Sequence, residues 1–202
     1  TARKDADGAK QAYREAIKLK QQDIEARRQL AAMLQSGAEA EEKDEARTLY
    51  DEILRLEPSN IHARLSLGNL FSEASFTSKR RMEDNRLAEA QDQYDAIRRE
   101  KPNHTGALVG LGVVWRKRGK YEKAMDLYHE ALQVDPNLKL AHYNMAIIYD
   151  YYISDRLKAL FHYQRYIELG GDAKKLPEDY RDNKVVAPPI EQSPETKETS
   201  SK

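Results

Sequence analysis

The chain has 202 residues, 40% hydrophobic and 34% charged, which is enough apolar material for the core of one or two domains. Lys plus Arg and Asp plus Glu each number 34, so there is no overall basic field to draw nucleic acid and no overall acidic one. Cys is absent, which excludes disulfides, thiolate metal sites and a Cys nucleophile, and no apolar run approaches the ~20 residues of a membrane span.

Apolar residues recur at three- and four-residue spacing up to about residue 173, the helical period. Residues 1–23 read as one helix, carrying Ala9 and Tyr13. The same setting, Ala-x-x-x-Tyr, returns at Ala46–Tyr50, Ala90–Tyr94, Ala124–Tyr128 and Ala159–Tyr163. Eighteen residues after each of the first four tyrosines stands a small residue behind Leu or Met: Leu30-Ala31, Leu67-Gly68, Leu111-Gly112 and Met145-Ala146. Equal intervals of this kind define a repeat of two helices, A with the small residue and B with the tyrosine. A ring beside a small residue lets two helices approach closely.

After the lone first B helix, the pairs span 24–60, 61–104, 105–138 and 139–173. Pro58, Pro102 and Pro136 end three B helices, and Gly170-Gly171 ends the fourth through a left-handed cap. The missing first A helix leads us to expect that the protein continues upstream. From the small residue to the Ala of helix B is 12 residues in the third pair, but 15, 22 and 13 in the first, second and fourth. The surplus is expected in the A–B turns, most of it in a solvated loop at Ser75–Leu87. The alternative for its Lys79-Arg80-Arg81 is an edge contact with an acidic partner.

Lys174–Asn183 offers one short helix with Pro177 in its first turn. The last dozen residues are polar and read as disordered by composition. Between them stands an apolar, extended-prone stretch. Its Val185, Val186, Pro188 and Ile190 are candidates for docking on the array, the alternative being a plain linker.

These residues resemble the tetratricopeptide repeat, a helix–turn–helix unit. Residues 105–138 carry the resemblance best, with Leu108, Leu111-Gly112, Trp115, Gly119, Tyr121, Ala124, Tyr128, Ala131 and Pro136, and it extends over residues 3–173. It implies an all-α fold, a right-handed superhelical α-solenoid of antiparallel helix pairs, followed here by an irregular C-terminal tail over 174–202. It also implies a protein or peptide partner, held on a concave face lined by A helices. Carried onto this chain, the front of that face is polar: Glu25, Arg28, Gln29, His62, Ser66, Asn69 and Glu73. The back is largely apolar and is the candidate partner-binding groove: Val109, Val113, Arg116, Lys117, Leu140, Tyr143, Asn144, Ile147 and Tyr151. Val113 and Tyr143 are expected to tolerate substitution without loss of fold. The family's basic clamp for terminal carboxylates does not carry over, because Val109, Val113, Leu140 and Ala32 stand where it needs cations or amides. Leu34, Phe71, Trp115, Tyr149 and the five repeat tyrosines read as packing.

No catalytic, cofactor or metal constellation is apparent. None of His62, His104, His129, His142 and His162 lies three or four residues from another, so no helix presents a paired metal site. They are expected as surface or groove polar groups. The reading is therefore a non-catalytic interaction scaffold within a multiprotein assembly, with no nucleic acid and no direct membrane span. The alternative is a structural protein that self-associates through its open array ends and tail. In its lack of Cys and its polar tail, the chain is similar in style to bacterial envelope repeat proteins, including outer-membrane lipoproteins of pilus and gliding-motility complexes. That likeness implies a periplasmic or outer-membrane-associated setting, with any lipid anchor upstream of Thr1.

Overall fold

The computed structural model describes residues 2–37, 39–73 and 80–181, and every regular element in them is helical. Helix α1 (Ala2–Leu19) precedes four antiparallel pairs: α2 (Ile24–Gln35) with α3 (Ala40–Leu56), α4 (Ile61–Glu73) with α5 (Arg80–Glu100), α6 (Thr105–Lys117) with α7 (Tyr121–Val134), and α8 (Lys139–Ile148) with α9 (Arg156–Glu168). A 3-10 turn (Ala173–Lys175) and the short α10 (Glu178–Arg181) follow. Each of α1 to α8 packs on the helix after it, and the A helices also meet across pairs, α4 on α6 and α6 on α8.

The repeat tyrosines dominate the core. Tyr50, Tyr94, Tyr128 and Tyr163 are at most 1% exposed. The Tyr94 ring lies between Gly68 of α4 and Gly110 of α6. A Cβ on Gly68 would come within 2.6 Å of that ring, and one on Gly110 would overlap it. Tyr128 fills the gap left by Gly112 in the same way. A single ring therefore fixes the spacing within its own pair and to the next, so each pair depends on its neighbour. Phe71 joins the first apolar cluster to the middle one, and Tyr149 joins the middle one to the last.

Side-chain caps start α2, α4, α6 and α9. Asp23 accepts from Ala26 N, Asn60 from Ala63 N, His104 through Nδ1 from Ala107 N, and Asp155 from Lys158 N. At the other end, Gly170 adopts φ +77°, the left-handed conformation that closes α9.

The surplus between A and B helices is not mainly loop. Helix α3 starts six residues ahead of Ala46, and α5 starts ten ahead of Ala90, whereas α7 starts three ahead of Ala124. Residues 80–87, expected as loop, are the first turns of α5. These extensions contain no Gly or Pro and are rich in Arg, Glu, Leu and Ala, so lengthening an existing helix is favoured over closing a loop. The extension of α3 reaches back to α1, with Lys10 paired to Glu42, and Arg14 gripping Glu45 through two bonds of 2.9 and 2.7 Å. In the fourth pair the single surplus residue enters a π-helical turn, Tyr149–Ile153, closed by Ser154 at φ 60°. The Ser75–Lys79 part of the insertion lies outside the described residues, as do the side chains of Arg80 and Arg81.

At the far end, Leu176 and Tyr180 are buried with Tyr163 and Tyr166 and cover part of the outer side of α9. The Tyr180 hydroxyl donates to Asp150 at 2.6 Å, and Arg156 pairs with Asp179 at 2.9 Å. Val185, Val186, Pro188 and Ile190 lie outside the described residues.

The ring-in-notch packing sets opposite signs for one substitution at two sites. Gly8 in α1 has open space around its would-be Cβ. Gly8→Ala should therefore raise stability by roughly 0.5–1 kcal/mol through helix propensity alone. Gly112→Ala carries the same propensity gain yet should lower stability by about 1–3 kcal/mol, because its methyl group meets the immovable Tyr128 ring. Urea melts of the two variants decide the point; equal shifts would show that the rings do not set helix spacing.

Candidate partner-binding groove

Helices α6 and α8 lie side by side and present the predicted groove positions at helical spacing. On α8, Leu140 is 54% exposed, and Tyr151 in the π turn is 63% exposed. Val113, Arg116, Lys117, Tyr143 and Ile147 are half-buried. Arg116 and Tyr151 both act electrostatically on the Tyr143 hydroxyl, so residues of the two helices converge there. That phenol is held above its ordinary pKa chiefly by burial, with Tyr166 adding and Arg116 opposing.

Three of the predicted positions have less to offer than their spacing implied. Val109 and Asn144 are only 9% and 7% exposed, and Asn144 donates to Leu140 O at 2.7 Å, so both form floor rather than contact surface. Tyr143 stacks near Tyr166 and Tyr163, at ring-centre distances of 4.9 and 6.2 Å, and donates to Lys175 O at 3.3 Å. The turn that follows α9 thus covers it. Tyr143 helps to seat the end of the chain, and the expectation that it can be truncated without loss of fold gives way.

The front of the concave face is engaged internally. Arg28 grips Glu25 through Nε and Nη2 at 2.9 and 2.5 Å, and Gln29 donates to the same carboxylate. Asn69 accepts the Tyr94 hydroxyl at 2.8 Å, and Gln35 accepts that of Tyr50 at 3.1 Å. Lys117 reaches from α6 to Ser72 O at the end of α4.

Two features escaped the sequence reading. The first is an exposed apolar stripe on α9. The positions six and two residues before each repeat tyrosine are exposed in all five B helices. They read Asp7/Gln11, Asp44/Thr48, Ala88/Asp92 and Glu122/Asp126, then Leu157/Phe161. Leu157 and Phe161 are 47% and 60% exposed, next in sequence to the exposed Tyr151, Tyr152 and Ile153. Comparing the fixed register across repeats would have found this stripe.

The second is a buried histidine pair. His142 of α8 and His162 of α9 are 7% and 8% exposed, with their Nδ1 atoms 2.9 Å apart. They are not the surface or groove groups expected. Pro136 O, 3.2 Å from His142 Nε2, can only accept, so that nitrogen carries the proton. His142 Nδ1 is then the acceptor, and His162 donates to it from Nδ1. The Tyr149 ring stacks on His162 at 5.5 Å. Burial lowers the pKa of both rings, that of His162 to about 4, with His142 and His129 adding repulsion to it. Among the described residues, no three His, Cys, Asp or Glu are grouped to hold a metal ion.

An all-helical array of antiparallel pairs is a protein-interaction architecture. A family profile described as TPR repeat matches residues 112–150. Those residues carry a tetratricopeptide repeat, and the helix pairs around them share its architecture. Among curated proteins it is similar to the photosystem I assembly protein Ycf3 of Acaryochloris marina (strain MBIC 11017), 32% identical over 71 residues covering 34% of this chain and 43% of that one. Ycf3 of Rippkaea orientalis (strain PCC 8801 / RF-1) is 34% identical over 71 residues, covering 34% of this chain and 41% of its own. The chain therefore spans less than half the length of these relatives. Among solved structures, TTC0263, a thermophilic TPR protein in Thermus thermophilus, superposes with a TM-score of 0.67 at 20% identity, covering 90% of each chain. MamA superposes at 0.62 and 18% identity, covering 84% of this chain and 91% of its own. Pseudomonas aeruginosa PilF superposes at 0.63 and 20% identity, covering 86% and 73%. These likenesses establish the shared fold. Among the described residues, no helix is long and apolar enough to cross a membrane.

The histidine pair makes the last repeat sensitive to acid. Both rings have folded pKa values below the unfolded one, so the unfolded chain binds more protons as pH falls. Stability is then full above about pH 6.5 and is lost toward pH 4. From the His162 value of about 4, the loss between pH 7 and pH 5 is about 2 kcal/mol. The wild-type Tm should fall over this window more steeply than that of His162→Gln, as read by circular dichroism; parallel curves would remove the pair from the account.

Proposed function

We propose that this chain is a non-catalytic scaffold that holds an apolar segment of a partner protein in the groove walled by α6 and α8, as one subunit of a multiprotein assembly. The exposure of Leu140 and Tyr151 beside half-buried Val113 and Ile147 carries the reading. Apolar side chains converging in a concave face suit a partner's extended or helical segment. The front of the face, with its polar groups already bonded, has less to offer. Two curated relatives are assembly proteins by name, which fits the same role. A photoreactive residue placed at Tyr151 should attach to a different protein in the cell. Ile147→Asp, at a half-buried position, should abolish that product while leaving helicity intact. Attachment only to the chain itself, with or without Ile147→Asp, would refute the reading.

A second reading, self-association, is favoured by the Leu157–Phe161 stripe, because the equivalent positions of the other B helices carry Asp, Glu, Gln, Thr or a small Ala. On that reading, sedimentation equilibrium gives a dimer or larger species at micromolar concentration, and Phe161→Glu returns it to monomer with an unchanged melt. A wild-type monomer at these concentrations sets self-association aside.

A further inference from the structure

The third repeat breaks a pattern that the first two follow. Tyr50 donates its hydroxyl to Gln35, and Tyr94 donates to Asn69, each an amide on the groove side of its own A helix. At the matching positions α6 has Arg116 and Val113. Tyr128 is fully buried, and its hydroxyl and the adjacent Arg116 Nε both lack a hydrogen-bond partner. Arg116 stands apart in another respect. Among the described residues, every other buried or half-buried Lys or Arg reaches an acceptor. Lys10, Arg14, Arg27, Arg28, Arg47 and Arg98 each meet a carboxylate. Arg165 meets a carboxylate and an amide, Arg118 an amide, Arg64 an amide and a carbonyl, and Lys117 a carbonyl. The charge of the Arg116 guanidinium instead acts on the Tyr121, Tyr128 and Tyr143 hydroxyls, and toward Tyr128 it also acts as a hydrogen-bond donor, a neutral phenol standing where the other cations have an acid, an amide or a carbonyl.

A half-buried cation without an anion and a buried donor without an acceptor both cost stability. Arg116 Nε and the Tyr128 hydroxyl are closed to solvent, so an added anion meets the guanidinium through its terminal nitrogens and answers the first of these costs. The acid in the π turn that follows α8, Asp150, already accepts the Tyr180 hydroxyl. Among the described residues, no carboxylate pairs with Arg116.

We propose that the missing acceptor is an Asp or Glu side chain of the partner segment, received by Arg116 while the residues beside it fill the apolar groove. The proposal rests on the groove reading above and adds the charge of the ligand to it. A guanidinium offers a planar fork of N–H donors that matches a carboxylate in two bonds. The apolar side chains of Val113 and Ile147 limit water around the pair and strengthen it relative to a pair in open solvent. The segment that fits is apolar with one internal acid, not a strongly acidic chain.

The test uses the full chain and a random dodecapeptide library displayed so that no free carboxyl terminus is offered. Selected peptides should be apolar with Asp or Glu at one fixed place. Selection on Arg116→Glu should move that place to Lys or Arg. For a selected peptide followed by fluorescence anisotropy, Glu→Gln in the peptide and Arg116→Gln in the protein should each weaken binding about tenfold, and the two together no more than either alone. Arg116→Gln should melt at or above the wild-type Tm, since it removes an unmatched charge; a lower Tm with unchanged binding would make Arg116 a structural residue and overturn the proposal. Peptides that require Ile147 and Tyr151 but show no acidic preference would overturn the carboxylate and leave the groove standing. Acidic preference seen only when a free carboxyl terminus is displayed would overturn the side-chain source. Peptides indifferent to Ile147→Asp, or no enrichment at all, would overturn the groove reading itself and the proposal with it.

Discussion

The structure depends on a phenol ring set into the notch of a residue with little or no side chain. Where Gly68, Gly110 and Gly112 lack a Cβ, Tyr94 and Tyr128 fill the space, and the backbones come as near as a ring's thickness permits. An aromatic side chain removes a large apolar area from water, so each notch contributes strongly to holding two helices together. Because the Tyr94 ring touches helices of two successive pairs, the same contact that closes one repeat orients the next.

A tyrosine core brings an obligation with it. Each buried hydroxyl needs a partner, and the nearest places to find one are on the groove side of the A helix. Gln35 and Asn69 meet that need in the first two pairs, which makes them structural residues at positions where the family's geometry suggests ligand contacts. The core thereby decides where the groove is available. The front is occupied by its own tyrosines and by the Arg28–Glu25 grip. The back is apolar, and there the obligation toward Tyr128 goes unmet.

The helix pairing and the buried tyrosines were legible because they repeat at fixed intervals, and packing against a notch tolerates few alternatives. Loop lengths were not, because a surplus of residues does not say whether it will extend a helix; the composition of residues 80–87, without Gly or Pro, was the overlooked signal. The groove positions on α6 and α8 followed from the register, but their exposure did not. That of Tyr143 is decided by Lys175, more than thirty residues away in sequence. The histidine pair was hidden by looking for partners along one helix. It lies on the register all the same. His142 stands four residues before the small residue of helix A, and His162 one before the tyrosine of helix B. The same two places hold Leu108 and Leu127 in the third pair, and Arg64 and Gln93, hydrogen-bonded at 3.2 Å, in the second.

That comparison shows how unevenly the array is held. One contact between helices A and B is apolar in the middle, a charged-to-amide bond toward the front and an imidazole pair at the end. The apolar version is indifferent to pH, whereas the imidazole version weakens as acid puts charge on the buried rings. The two walls of the proposed groove thus belong to repeats that respond differently to acid: α6 to the buried Leu108 and Leu127, and α8 to the His142–His162 pair. Any ligand lying across both walls binds only when α8 is folded against α6, so by linkage it stabilises the weaker repeat in proportion to its affinity. The last pair, flanked by the short α10 and carrying most of the exposed large apolar side chains, is where such stabilisation acts. On the proposed reading, a partner in the back of the groove does more than occupy a surface: it ties the acid-sensitive end of the described array to its apolar middle.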